Sequence, residues 1–119
     1  MSERIQSYQD LIVWQKSMRL VDEVYKISRV LPKVEMYVLT PQILRAVISI
    51  PSNIAEGFRR KSRAEYMHYL TISLGSAAEL ETQLLIIKKQ YTEVVLNDSF
   101  TLLEEVQRML NTMTASYKS

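Results

Sequence analysis

Apolar and small residues recur along most of this chain at alternating spacings of three and four, which places them on one side of a helix. The third segment holds this rhythm longest, through Tyr66, Leu70, Ser73, Ala77, Leu80, Leu84, Ile87 and Tyr91. An earlier segment repeats it with Leu11, Trp14, Met18, Val21 and Tyr25, and stops before Pro32, whose ring cannot continue a helix. Thr40 and Pro41 read as the N-cap and first residue of a second helix that runs through Leu44, Val47, Ile48, Ile54 and Ala55. Asn97, Asp98 and Ser99 offer caps for a fourth, carrying Leu103, Val106, Leu110 and Met113. No segment alternates with period two. Each apolar stripe must be buried against another, so the pattern predicts an all-α, antiparallel up-and-down four-helix bundle. One domain over residues 1–119 is expected, with helices at roughly 8–31, 41–60, 63–91 and 98–117.

The stretch SIPSNIAEGFRRKSRAEYMHYL, residues 49–70, concentrates the punctuation. Pro51 falls inside the second helical pattern and predicts a kink with the helix continuing. Gly57 suits the left-handed residue that closes a helix, and Ser62 with Glu65 forms a capping box for the next. With the turn centred near Arg60, facing residues have numbers summing to roughly 120, so Phe58 falls near Tyr66 and Ile54 near Leu70. Ser49, Asn53 and Glu56 then share one face of the second helix, and Ser73, Ser76 and Glu79 one face of the third. These residues, with Arg45, are expected to form a structural polar seam anchored by an ion pair between Arg45 and Glu79.

Composition narrows the function classes. The 119 residues are 47% hydrophobic and 24% charged, which is globular rather than disordered. No uninterrupted apolar run approaches the ~20 residues that cross a bilayer, so no membrane partner is expected. The start, MSERIQSYQD, is polar where a secretory signal is apolar, and a cytoplasmic location is expected. The absence of cysteine removes disulfides, thiolate nucleophiles and cysteine zinc sites together. A formal net charge of +2 makes the placement of charge more informative than its total.

Several helices carry more apolar positions than one seam requires. The first has a second stripe in Val13, Leu20, Val24, Ile27 and Leu31. The third adds Met67, Leu74, Ala78, Leu85 and Ile86, and the fourth adds Leu102 and Met109. A homo-oligomer is therefore expected, and a monomeric mass at micromolar concentration would refute it.

Two features invite chemistry. Arg59, Arg60, Lys61 and Arg63 gather where the second and third helices turn, beside the amides that open the third, a composition suited to nucleic-acid phosphates. Lys88 and Lys89 add charge toward the other end of that helix. His68 is the chain's one histidine. Its Glu-x-x-His spacing from Glu65 resembles a di-iron ligand motif, but such bundles need two motifs and further glutamates, so no metal is expected. Its Arg-x-x-x-x-His spacing from Arg63 resembles HEPN-type ribonucleases, where histidine moves protons and arginine steadies a phosphate oxyanion. No glycine-rich phosphate loop, serine–histidine–acid set or dinucleotide fingerprint occurs, and no cofactor is expected.

The residues Arg45, Ala46, Ser49, Ile50, Pro51, Asn53, Ile54, Ala55, Glu56 and Gly57, then Ser62, Gly75, Ser76 and Glu79, resemble the pattern of the 23S rRNA intervening-sequence protein family. Leu11, Val13, Trp14 and Gln15, and Pro32, Glu35, Tyr37, Leu39, Thr40 and Gln42, extend the likeness over nearly the whole chain. The resemblance implies a four-helix bundle assembled as a homopentamer, with a loosely defined nucleic-acid role and no named reaction. The accessory variability proteins of diversity-generating retroelements are similar in fold and bind nucleic acid beside a reverse transcriptase. The resulting expectation is a non-enzymatic, homo-oligomeric accessory or scaffold protein that holds RNA or DNA by its backbone through Arg59, Arg60, Lys61 and Arg63. The alternatives are an HEPN-like ribonuclease using Arg63 and His68, and a scaffold for a protein partner alone.

Overall fold

The structure, a computed structural model, describes residues 4–118; residues 1–3 of the polar start and residue 119 lie outside it. Its long helices are α1 (Ile12–Val30), α2 (Leu39–Phe58), α3 (Arg63–Gln90) and α4 (Asn97–Lys118), and no strand occurs among the described residues. Short 3-10 turns at Tyr8–Asp10 and Lys33–Glu35 precede α1 and α2. Helix α1 packs on α2 and α4, and α3 packs on the same two, with the α2–α3 interface the most extensive. Every helix thus covers the apolar face of two neighbours, and the core runs along the shared axis.

Helix entry departs from the sequence expectation in three places. The first helical pattern breaks at Leu11, which is extended, so the turn at Tyr8–Asp10 is a separate element held by a capping box between Ser7 and Asp10. Thr40 is not an N-cap. Helix α2 starts two residues earlier than expected, at Leu39 rather than Pro41, behind Val38, which makes no side-chain cap; Leu39 is buried, and its burial draws the helix start forward. Asn97, Asp98 and Ser99 lie inside the first turn of α4 rather than ahead of it, and the Leu96 carbonyl accepts the Phe100 amide at 3.0 Å.

On α1 the two apolar stripes exchange roles. Val13, Leu20, Val24, Ile27 and Leu31, read from sequence as the surplus stripe, are the buried one. Leu11, Trp14 and Val21 are only half-buried against the core, and Met18 and Tyr25 are exposed. Ser17 completes the buried row: its side chain is fully enclosed, and its hydroxyl donates to the Trp14 carbonyl at 2.8 Å. With Ser17 included, the core row reads at spacings of four and three without a gap, and the satisfied hydroxyl makes its burial affordable.

Helix α3 carries apolar residues around most of its circumference, and its length and composition alone would allow it to cross a membrane. The sequence shows no uninterrupted apolar run because Glu79 and Glu81 interrupt it. Its core side, from Met67 to Ile87, packs in the bundle, while Ile72, Leu85 and Ile86 face outward.

Candidate nucleic-acid interface at the α2–α3 hairpin

Helices α2 and α3 run antiparallel through the tight connection at residues 59–62. Ser49 faces Ser76, Ile50 faces Ser73, Phe58 faces Tyr66 and Gly57 faces Tyr69, so facing numbers sum to 123–126 rather than 120. The turn centre therefore lies near Ser62, because α2 continues helically through Gly57 to Phe58 before the chain reverses.

Gly57 does not close the helix by a left-handed conformation; no described residue has one. It is buried inside α2, and a Cβ at this position would lie 2.7 Å from the Tyr69 Cβ and 3.1 Å from the Tyr66 ring. Glycine is needed for close approach of the two helices. Pro51, also buried, sits within α2, which continues past it.

The polar seam forms in part. Ser49 and Ser76 hydroxyls share a 2.7 Å hydrogen bond. Asn53 Nδ2 donates to the Ser49 carbonyl and hydroxyl, each at 2.9 Å. The Ser73 hydroxyl, fully buried, donates across the interface to the Ile50 carbonyl at 2.9 Å. Glu56 is not a member: it is exposed and binds Arg60. Arg45 and Glu79 line one cleft of about 320 Å³ with Ser49 and Ser76, yet make no ion pair within the chain among the described residues. Both are exposed, so water solvates them and nothing forces them together.

At the turn, Arg59, Arg60, Lys61 and Arg63 are all exposed. Arg60 is the most tightly held, donating to Glu56 at 2.5 Å and to the Tyr69 hydroxyl at 2.7 Å, with its guanidinium 4.9 Å from the Tyr69 ring centre. Arg59 lies 5.6 Å from the ring centre of Tyr8, which ties the N-terminal turn to the hairpin. Ser62 is the N-cap of α3 and accepts the Glu65 amide at 3.1 Å, while its hydroxyl donates to the Glu65 carboxylate at 3.2 Å. One of the amides expected to meet a phosphate is thus already engaged. Tyr66, behind the turn, is pushed above the usual tyrosine range by burial. Tyr8 and Tyr69 were missed from sequence; with the register known, their rings are placed where a helix end brings them beside arginine.

Arg63 and His68 both lie on the first turns of α3 and are exposed. Five residues apart, they point about 140° away from each other around the helix. His68 packs edge-on against Tyr69 with centroids 5.5 Å apart and does not pair with Glu56. Lys88 and Lys89 are exposed in the last turn of α3, at the opposite end from the hairpin.

Fold and hairpin together define an all-α helical bundle protein with a basic helical turn. The family model for the 23S rRNA-intervening sequence protein matches residues 9–112, and the chain belongs to that family. No curated protein matches it. A crystal structure of a protein with unknown function from the S23 ribosomal protein family of Bacteroides thetaiotaomicron superposes with a TM-score of 0.76 at 23% identity, over 87% of this chain and 98% of that one. At this identity the likeness shows the shared fold.

Proposed function

We propose that this protein is a non-enzymatic, cytoplasmic homo-oligomer that binds RNA through the phosphate backbone, as an accessory or scaffold, with the α2–α3 hairpin as its contact. The observation that carries this reading is the exposure of four cations within residues 59–63, opposed locally by Glu56 and Glu65. Arg59 and Arg60 lie over the rings of Tyr8 and Tyr69, which holds both guanidinium groups at the hairpin. A single hairpin offers few phosphate contacts, and its affinity at physiological salt would be weak. Repetition around the axis of a ring, five times in the pentamer, makes each later contact intramolecular and raises avidity.

The test is fluorescence anisotropy with single-stranded RNA, structured RNA and duplex DNA at about 50 and 200 mM salt, with the mass measured on the same samples. The expected result is salt-sensitive binding by an oligomer, weakened on every sequence alike by Lys61→Glu with Arg63→Glu. Arg60 is left in place because it also holds Glu56 and Tyr69. Unchanged binding by this variant would remove the hairpin from the interface, and no binding at the lower salt would remove nucleic acid from the proposal.

A further inference from the structure

The chain has two glycines, and their surroundings differ. Gly57 is required from within, by Tyr69. Gly75 is exposed in the middle of α3, has no left-handed backbone, and a Cβ there would meet nothing within 4 Å. Glycine in a helix interior weakens the helix relative to alanine, and nothing inside this chain repays that loss. On the same outward row lie Ile72, three residues before it, Glu79, four after, and Ile86, eleven after, and the two isoleucines are 38% and 43% exposed. This row is an apolar ridge with a low point at Gly75 and a carboxylate one turn on.

The chain also carries a matching depression. Tyr8, then Trp14, Met18 and Val21 of α1, with Ile48, Pro51, Ser52 and Ala55 of α2, line a groove of about 350 Å³. Ile48 on its rim is exposed, and Arg45 stands one turn before Ile48 on the same helix. Arg45 has no acidic partner and Glu79 no basic partner among the described residues.

We infer that the α3 ridge of one copy seats antiparallel in the α1–α2 groove of the next, with Gly75 against Ile48 and Glu79 against Arg45. The charge pattern argues for a second copy as the occupant. In an antiparallel seating, a step of one turn from Gly75 to Glu79 runs alongside a step of one turn from Ile48 back to Arg45. Placing the glycine on the isoleucine therefore brings the two charges together without further adjustment. Ridge and groove are different surfaces, so each copy gives one contact and receives one, and the contact is head-to-tail, as a closed ring requires. The inference rests on the homo-oligomer part of the proposed function and names its interface.

Light scattering on the full chain at micromolar concentration tests it, with circular dichroism as the check of folding. Gly75→Leu places a side chain in open space, so it keeps helicity and a melting temperature no lower than that of the isolated protomer while the mass falls to that of a monomer. Arg45→Glu and Glu79→Arg each weaken association at least tenfold alone, and mixing the two single variants restores pairing, which a contact within one chain could not do. Gly75→Leu keeps an intact groove and Ile48→Glu an intact ridge, so mixing the two gives a heterodimer although each alone is monomeric. Wild-type mass in Gly75→Leu, or failure of either mixture to pair, would overturn the proposed interface while leaving the homo-oligomer intact. A wild-type chain that is itself monomeric would overturn the homo-oligomer reading, and this inference with it.

Discussion

The backbone of Gly57 lies so close to Tyr69 that a Cβ at Gly57 would come within 2.7 Å of the Tyr69 Cβ. Both Cβ atoms are anchored directly to helix backbones, so relief requires the helices to part. Gly57→Ala is expected to destabilise the protein by about 1–3 kcal/mol, as overpacking does, despite the better helix propensity of alanine. Urea denaturation measures it, and a stability equal to or above wild type would show that the hairpin can open at no cost.

The exchange of stripes on α1 has a direct mutational signature. Leu20 is completely buried, whereas Met18, two residues before it, is 40% exposed. Leu20→Ala should cost about 2–5 kcal/mol through lost burial and the cavity left behind. Met18→Ala should move protomer stability by less than about 0.5 kcal/mol, as surface substitutions do. Comparing denaturation midpoints in the monomeric Gly75→Leu background decides, and equal losses would place the core on the other face.

Gln83 is 5% exposed, and its Oε1 has no hydrogen-bond partner among the described residues. A buried acceptor without a donor carries its desolvation penalty unrelieved. Gln83→Met keeps the length of the side chain and removes the amide, and should stabilise the protein by about 1–2 kcal/mol. A drop in melting temperature would mean that the amide is satisfied in solution.

Tyr91 donates a 2.5 Å hydrogen bond to Glu35, joining the end of α3 to the connection before α2. That bond holds the phenol above the usual tyrosine range, with burial and the charges of Glu35 and Glu93 acting in the same direction. The unfolded chain therefore loses this proton at lower pH than the folded one. The stability gained is complete below the ordinary value of about 10 and is lost as pH rises through the folded value. Melting temperature should fall over that alkaline range, and Tyr91→Phe should flatten the fall. An unchanged pH profile in the variant would assign the titration elsewhere, with Tyr66, raised by burial, the next to test.

The helices were legible because a 3.6-residue period survives in any order of contacts. Ser62, facing Glu65, was legible as a cap because that hydrogen bond is local. Thr40 misled because a local cap preference competed with the burial of Leu39, which comes from the rest of the bundle. The α1 core row was obscured by Ser17, whose hydroxyl is satisfied by its own helix and so does not mark an exposed face. Within the basic turn the cations could be read directly, but their engagement could not: Arg60 meets Tyr69 and Arg59 meets Tyr8 only after the chain has reversed.

Short-range physics is written in residue order, so the sequence by itself determined an all-α chain, the placement of four helices, the hairpin between residues 58 and 63, and membership of a family recognisable from spaced residues. Tertiary structure decided which stripe of α1 faces inward, the pairing of Ser49 with Ser76, the separation of Arg45 from Glu79, and why one glycine is crowded and the other open. These depend on how helices far apart in sequence share one core, where a shift of one or two residues in the turn changes every facing pair and a single buried hydroxyl changes the apparent stripe.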